Sequence, residues 1–380
     1  MVLAMLGMRL LAASLLLPSI FVFAQTAPSN PLAPYISVSA PVVALTHVEV
    51  IDGTGAAPVM DQTVILDQGK IASVGSSATA QIPSGAKVLD LHGHTVYPGL
   101  VGMHEHLFYT EPGSAALHAF VVGEMIQTAP RLYLAAGITT ARTTGSVEPY
   151  ADLNIKDAID AGLAPGPDFD ITGPYLDGPD TLIPQLHHLA GAADATNTVN
   201  YWVGEGVTSF KAYMFITPAE LKAAIDATHA HGLKITGHLC SIGFTQAADM
   251  GIDNLEHGMF VDTEFYSGKK PGVCPIGHGP YQEMADKLDM SSQPVTTMIH
   301  DLVRRHVAVT STLAVFEDSS PNRPPTAFLM REQSSMMPQA WASVLADRAR
   351  TAEHADKSIW PVLLKRKCSS SANLLMPAAY

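Results

Sequence analysis

The sequence predicts an α/β fold: a TIM-type (β/α)8 barrel preceded by a small N-terminal all-β unit. Three observations carry that prediction. Residues 42–97 hold short β-branched runs separated by turn residues. After Tyr97 such runs alternate with Ala-rich helical stretches, the pattern of parallel βαβ units. The residues able to do chemistry fall at the ends of the predicted strands, where a barrel carries its active site.

The elements follow in chain order. Residues 1–24 read as a secretory signal: Arg9 precedes an apolar stretch, Leu10 to Phe23, and Val22-Phe23-Ala24 before Gln25 fits a small-residue cleavage site. The stretch is short for a membrane span, so no stable span is expected once the signal is cleaved, with an uncleaved N-terminal anchor as the alternative; either way the folded part is expected to be secreted or periplasmic. Residues 25–41 form a polar, Pro-containing linker. The 42–97 unit has runs at Ala44–Ile51, Thr63–Leu66, Ile71–Gly75 and Lys87–Leu91, with Asp52-Gly53 and Asp67-Gln68-Gly69-Lys70 as turns. Barrel strands are predicted near 100–106, 138–143, 168–172, 207–213, 233–238, 253–257 and 307–312. Helices fall between them, among them Pro218–His231 and Phe244–Met250, and the barrel domain is taken as 98–355, including a helical region near Met337–Ala355. No eighth strand is predicted. Composition shifts after about Ala355, leaving 356–380 as an atypical tail.

Composition bounds the function. In 380 residues the net charge is −13, which leaves nothing to neutralise phosphates and argues against a nucleic-acid partner. Three cysteines are too few for a disulfide framework, although Cys240 and Cys274 could pair in an oxidising compartment.

The chemistry starts at Tyr97-Pro98-Gly99-Leu100-Val101-Gly102-Met103-His104-Glu105-His106. Side chains in a strand alternate, so His104 and His106 point the same way and Glu105 the other; the pair can ligate a first-row metal. Strands five and six end in His238 and His257. A single such histidine reads as a hydrogen-bonded core residue; four at strand ends read as metal ligands. Lys211, near the end of strand four, is a poor ligand as an ammonium. Carboxylated by CO2 it could bridge two metals; otherwise it would pair with an acidic neighbour. Tyr213 faces the same way and could polarise a scissile carbonyl, or simply pack as a barrel aromatic. Arg142 reads as a structural ion-pair partner. His187, His188 and His278 lie in loops with no spacing argument attached.

These residues resemble the amidohydrolase superfamily over about residues 42–318. The carriers are Val50-Ile51-Asp52-Gly53-Thr54-Gly55 and Gly69-Lys70-Ile71-Ala72-Ser73-Val74-Gly75 in the front unit and Pro98-Gly99-Leu100…His104-Glu105-His106 in the first barrel strand. Lys211 makes the subgroup similar to the imidazolonepropionase-like, Xaa-Pro dipeptidase-type hydrolases. The resemblance implies two divalent ions, zinc by type: His104 and His106 on the more buried one, His238 and His257 on the more exposed one, and carboxylated Lys211 between them. It also implies that the front unit is a small N-terminal β-sandwich domain, and hydrolysis of C–N bonds in dipeptides or N-acyl amino acids. The family's strand-eight aspartate has no counterpart following an apolar strand: only Asp347 and Asp356 come after Asp318, both in polar, helical context. The chain therefore reads as a C-terminally truncated member, with a non-catalytic metal- or ligand-binding relative as the alternative. Its barrel would expose the edges of strands one and seven unless a partner, such as a second copy in a homo-oligomer, covers them.

Overall fold

The computed structural model describes residues 30–110 and 121–318. The predicted signal, the Met337–Ala355 helical region, Asp347, Asp356, Cys368 and the tail lie outside these residues.

The front unit is a sheet of β1 (Val42–Val50), β2 (Val59–Asp67), β3 (Lys70–Ser76), β4 (Lys87–Asp90) and β5 (Thr95–Val96). β1 is central. It pairs antiparallel with β2, which pairs antiparallel with β3, and runs parallel to β4 and β5. Among the described residues this unit is a single five-stranded sheet; the expected sandwich has one layer here. One face stays open, with Met60 67% and Ile71 69% exposed.

The second sheet is parallel and has seven strands: β6 (Leu100–Glu105), then, after a hairpin of β7 (Phe108–Thr110) and β8 (Val122–Glu124), β9 (Ile138–Thr143), β10 (Asp168–Leu176), β11 (Ser209–Ala212), β12 (Lys234–Gly237), β13 (Asn254–Glu256) and β14 (Ala308–Thr310). Each long strand pairs with its neighbour in sequence. The sheet curls into a nearly closed barrel, so that Arg142 on β9 reaches Glu256 on β13. This bears out the TIM-type reading with seven strands.

Helices cover the outside: α1 (Ala129–Ala135), α2 (Pro149–Asp160), α3 (Ala192–Glu205), α4 (Pro218–Ala230), α5 (Phe244–Met250), α6 (His278–Lys287), α7 (Gln293–Arg304) and α8 (Leu313–Asp318). Proline in the first turn starts α1, α2, α4 and α7. A capping box also starts α4: Thr217 Oγ1 accepts from the Glu220 amide, and Glu220 Oε2 accepts from the Thr217 amide. Val295, Met298, Ile299 and Leu302 form the buried stripe of α7. The main core lies between sheet and helices, with Phe210, Ile171, Ile235, Leu221, Ile225 and Phe244 essentially inaccessible.

Several elements differ from the sequence reading. The β7–β8 hairpin was not expected. β10 runs past Gly173-Pro174 to Leu176, beyond the expected end at 172. Gly173 is needed there because a Cβ would lie 2.8 Å from the Phe210 ring. The pairing of Cys240 with Cys274, left open by the sequence, is formed as a disulfide. No helix among the described residues is long and apolar enough to cross a membrane.

Candidate active site

The predicted residues meet at the C-terminal rim of the barrel. His106, His238, His257 and Tyr213 each fall just past a strand end; His104 and Lys211 lie in the last turns of β6 and β11. The imidazoles touch in series. Ring centroids are 5.1 Å apart for His104–His106, 4.6 Å for His104–His257 and 4.3 Å for His238–His257. Tyr213 closes the row, 5.0 Å from His238. His257 follows β13 in the left-handed region (φ 66°). That conformation is unusual for a side chain with a Cβ and is held by its amide donating to Thr310 O at 2.7 Å.

Each of three histidines has its Nδ1 engaged. His104 Nδ1 lies 2.7 Å from Glu256 Oε2, His106 Nδ1 3.3 Å from Gly145 O and His257 Nδ1 2.7 Å from Thr312 Oγ1. A carboxylate and a carbonyl can only accept, so in His104 and His106 the proton sits on Nδ1 and the lone pair on Nε2. Gly145 has φ +91°, and a Cβ there would strike the Tyr175 ring at 2.6 Å. Only glycine can therefore present this carbonyl to His106.

Glu256 is fully buried and organises the ring of ligands. Its Oε1 accepts from Arg142 Nη2 (2.9 Å), Thr236 Oγ1 (2.5 Å) and Asn254 Nδ2 (2.7 Å). Burial alone would raise its pKa. The hydrogen bond from His104 and the charges of Lys211 and Arg142 instead hold it below the usual carboxylate range. Arg142 also donates to Met103 O, fixing the main chain beside His104. The expected ion-pair role of Arg142 is what the structure shows.

Lys211 is 1% exposed. Its ammonium has no ion pair among the described residues and lies 5.1 Å from the Tyr175 ring centroid and 5.9 Å from that of Tyr213. Burial lowers its pKa to about 7, against the raising effect of Glu256 and with the Arg142 charge adding to the drop. Burial, with the Lys211 charge, lowers His104 to about 4 and His106 well below its usual value, so both are neutral. Tyr213 is half-buried, and desolvation raises its pKa, so the phenol stays protonated. The ring of Tyr175 lies 4.6 Å from that of Tyr213, and its hydroxyl is 3.4 Å from His106 Nε2.

The donor chemistry of His104 and His106 suits a borderline divalent cation: neutral imidazoles with the far nitrogen anchored by an acceptor, as metal-binding histidines have. Among the described residues, however, no three His, Cys, Asp or Glu side chains already form a metal-holding group. Glu105 turns away from the rim towards Tyr133, as expected. His187 pairs with Asp194, and the His188 main chain forms an isolated β-bridge with Asp177; neither joins the ring contacts. The His278 side chain lies outside the described ones. A separate cleft of about 440 Å³ in the front sheet is lined by His47, Asp61, His92 and His94 among others, with no rim residue.

Sequence reasoning missed Glu256 and Tyr175. Glu256 was legible as the inward residue two after Asn254 on a strand ending in a histidine. Tyr175 was hidden by the Gly-Pro that seemed to end its strand.

Comparison with known proteins agrees with this architecture. Residues 95–273 match the model of the amidohydrolase family. A dihydroorotase from Pelotomaculum thermopropionicum is 35% identical over 97 residues, 26% of this chain and 20% of that one. One from Lactobacillus leichmannii is 35% identical over 91 residues, 24% and 19% of the two chains. The matched stretch thus spans about a fifth of the curated relatives. A Bifidobacterium longum protein provisionally called a prolidase shares 22% identity, 83% of this chain and 71% of its own, at TM-score 0.55. A Xaa-Pro dipeptidase with methionine bound in its active site shares 16%, over 89% and 85%, at TM-score 0.54. These two likenesses show the fold. The class is a parallel α/β barrel with its polar site at the C-terminal rim, and residues 95–273 are similar to the amidohydrolase family.

Proposed function

We propose that this chain is a metal-dependent amidohydrolase that cleaves C–N bonds of dipeptides or N-acyl amino acids. The observation that carries the reading is the row of four imidazoles, with Nδ1 of His104 tied to Glu256 and of His106 to Gly145, above a buried lysine. His104 with His106, and His238 with His257, would hold two divalent ions of zinc type. When bound, such ions supply Lewis acidity and a nucleophile at neutral pH. Lys211 would bridge them as a carbamate: its neutral amine adds to CO2 and loses one proton. Its lowered pKa favours the required free base. Tyr213, kept protonated, would donate to the carbonyl oxygen as negative charge develops there. The apolar wall of Val122, Val147, Tyr175, Ile183 and Leu186, with Phe108 packed on it, would exclude water from that side. The Xaa-Pro dipeptidase among the similar structures is the basis for choosing dipeptides.

Secretion through the Met1–Ala24 signal belongs to the same reading, and the Cys240–Cys274 disulfide supports an oxidising compartment. A homo-oligomer covering the barrel edges belongs to it as well.

One observation favours the alternative of a non-catalytic, metal- or ligand-binding relative: no ready-made group of three donors exists among the described residues. Metal content per folded chain after purification in bicarbonate buffer, followed by hydrolysis assays on dipeptides and N-acyl amino acids, separates the two. Two ions and turnover are expected. Two ions without turnover would leave the binding reading; no ion would overturn both metal readings.

A further inference from the structure

Behind His106 lies a group of polar atoms that the proposed reaction does not use. Glu124 ends β8, directly opposite Phe108 in the hairpin, and Phe108 stacks on His106 with centroids 4.7 Å apart. Asp152, in the first turn of α2, is 1% exposed, and Ser146, in the loop between β9 and α2, is fully buried. Both carboxylate oxygens of Glu124, both of Asp152 and the Ser146 hydroxyl are buried without a hydrogen-bond partner. None of the three joins an ion pair among the described residues.

These groups are close enough to act on one another. Burial and then the charges of Asp152 and Glu148 raise the Glu124 pKa to about 8. Burial raises Asp152 to about 7, while Ser146 lies near enough to pull it slightly the other way without reaching hydrogen-bond geometry. Among the described residues, no lysine, arginine or histidine is among the groups acting on either carboxylate.

Buried polar groups in native proteins are almost always partnered, and an orphaned set calls for an ion, a water or a functional role. Leaving two carboxylates buried and ionised without a counter-charge costs several kcal/mol per ion, on the order estimated for desolvated charges. The donors are all oxygen and include two anionic groups. That suits a hard divalent cation, in contrast to the nitrogen donors of the rim.

We propose that Glu124, Asp152 and Ser146 form a second cation site that takes a hard divalent ion of the calcium class. Bound there, the ion ties the β7–β8 hairpin to the start of α2 and so holds Phe108 against His106. Its role is structural, and it does not depend on the reaction proposed above.

The test uses the full chain with its rim first loaded with Zn²⁺ and excess removed. Calcium is then titrated calorimetrically at about pH 7.5, with Mg²⁺ and Mn²⁺ in parallel, and the melting temperature is followed. One Ca²⁺ per chain and a rise in Tm are expected. Asp152→Asn and Glu124→Gln should each weaken calcium binding at least about tenfold, a loss of about 1.4 kcal/mol, while zinc content is unchanged. No binding of any of the three ions up to about 10 mM, above the ~0.1–1 mM dissociation constants of extracellular calcium modules, would overturn the proposal. So would calcium binding that both variants leave intact. Should the variants not fold, tyrosine-sensitised terbium emission in the wild-type chain replaces them: emission displaced by calcium is expected, and its absence overturns the site.

Discussion

Replacing Glu256 by Gln would keep the shape of the side chain and remove its charge. The His104 Nδ1 bond would weaken, and Arg142 would lose its ion-pair partner. A partner that orients a ligating histidine is commonly worth 10–100-fold in metal affinity, so Glu256→Gln should bind zinc about 10–100-fold more weakly, read by competition with a chelator. The histidines themselves were legible in the sequence, because a period of two and the ends of apolar runs suffice to place them. Glu256 was not singled out because its role depends on Arg142 and His104, 114 and 152 residues away along the chain. A second prediction concerns Asp152 and Glu124. Their folded pKa values, about 7 and about 8, lie above the values near 4 of an unfolded chain. Between those limits the folded state holds more protons than the unfolded one, so stability falls as pH rises. With divalent ions chelated, the urea midpoint should be lower at about pH 8.5 than at about pH 5.5, and Asp152→Asn should flatten that slope.

Among the elements, α7 and the disulfide offer the clearest measurements. The stripe Val295, Met298, Ile299 and Leu302 is what seats α7. Leu302 is 1% exposed, so Leu302→Ala should cost about 2–5 kcal/mol, measured by urea unfolding. The Cys240–Cys274 bond closes a separation of 34 residues. Loop-closure entropy for that length is worth about 3–4 kcal/mol, so Cys274→Ser should lower unfolding stability by about 2–4 kcal/mol, and reductant should have no further effect on the variant. The strand–helix alternation was legible because each strand is a short apolar run. The β7–β8 hairpin was not: Phe108–Thr110 and Val122–Glu124 are three residues each and show no period long enough to read. The end of β10 was lost for a different reason. Gly173-Pro174 has the composition of a turn, yet here the glycine makes room for Phe210 and the strand continues.

At the scale of the whole molecule, strand order in the barrel follows chain order, which is why the α/β class could be read from alternation alone. The front unit was less legible, since the number of layers depends on which segments pack together and not on any local pattern. Within the described residues β6 and β14 end the barrel sheet. Amides of β11 and β12, flanked on both sides, should therefore exchange hydrogen more slowly than those of β14, a difference that native-state exchange measured peptide by peptide would show.

His104 and His257 stand on the first and sixth strands of that sheet. Laid flat, five strand spacings of about 4.8 Å would separate them by about 24 Å. Their rings are 4.6 Å apart. The contact is thus a chord across a curved surface, and it exists only once the sheet has bent. During synthesis His104 emerges more than 150 residues ahead of His257, and the intervening strands can pair one after another while the histidines remain apart. Ring-to-ring contact at the rim therefore requires the curled sheet, and two ions joined through Lys211 would act as a clasp on a barrel already assembled.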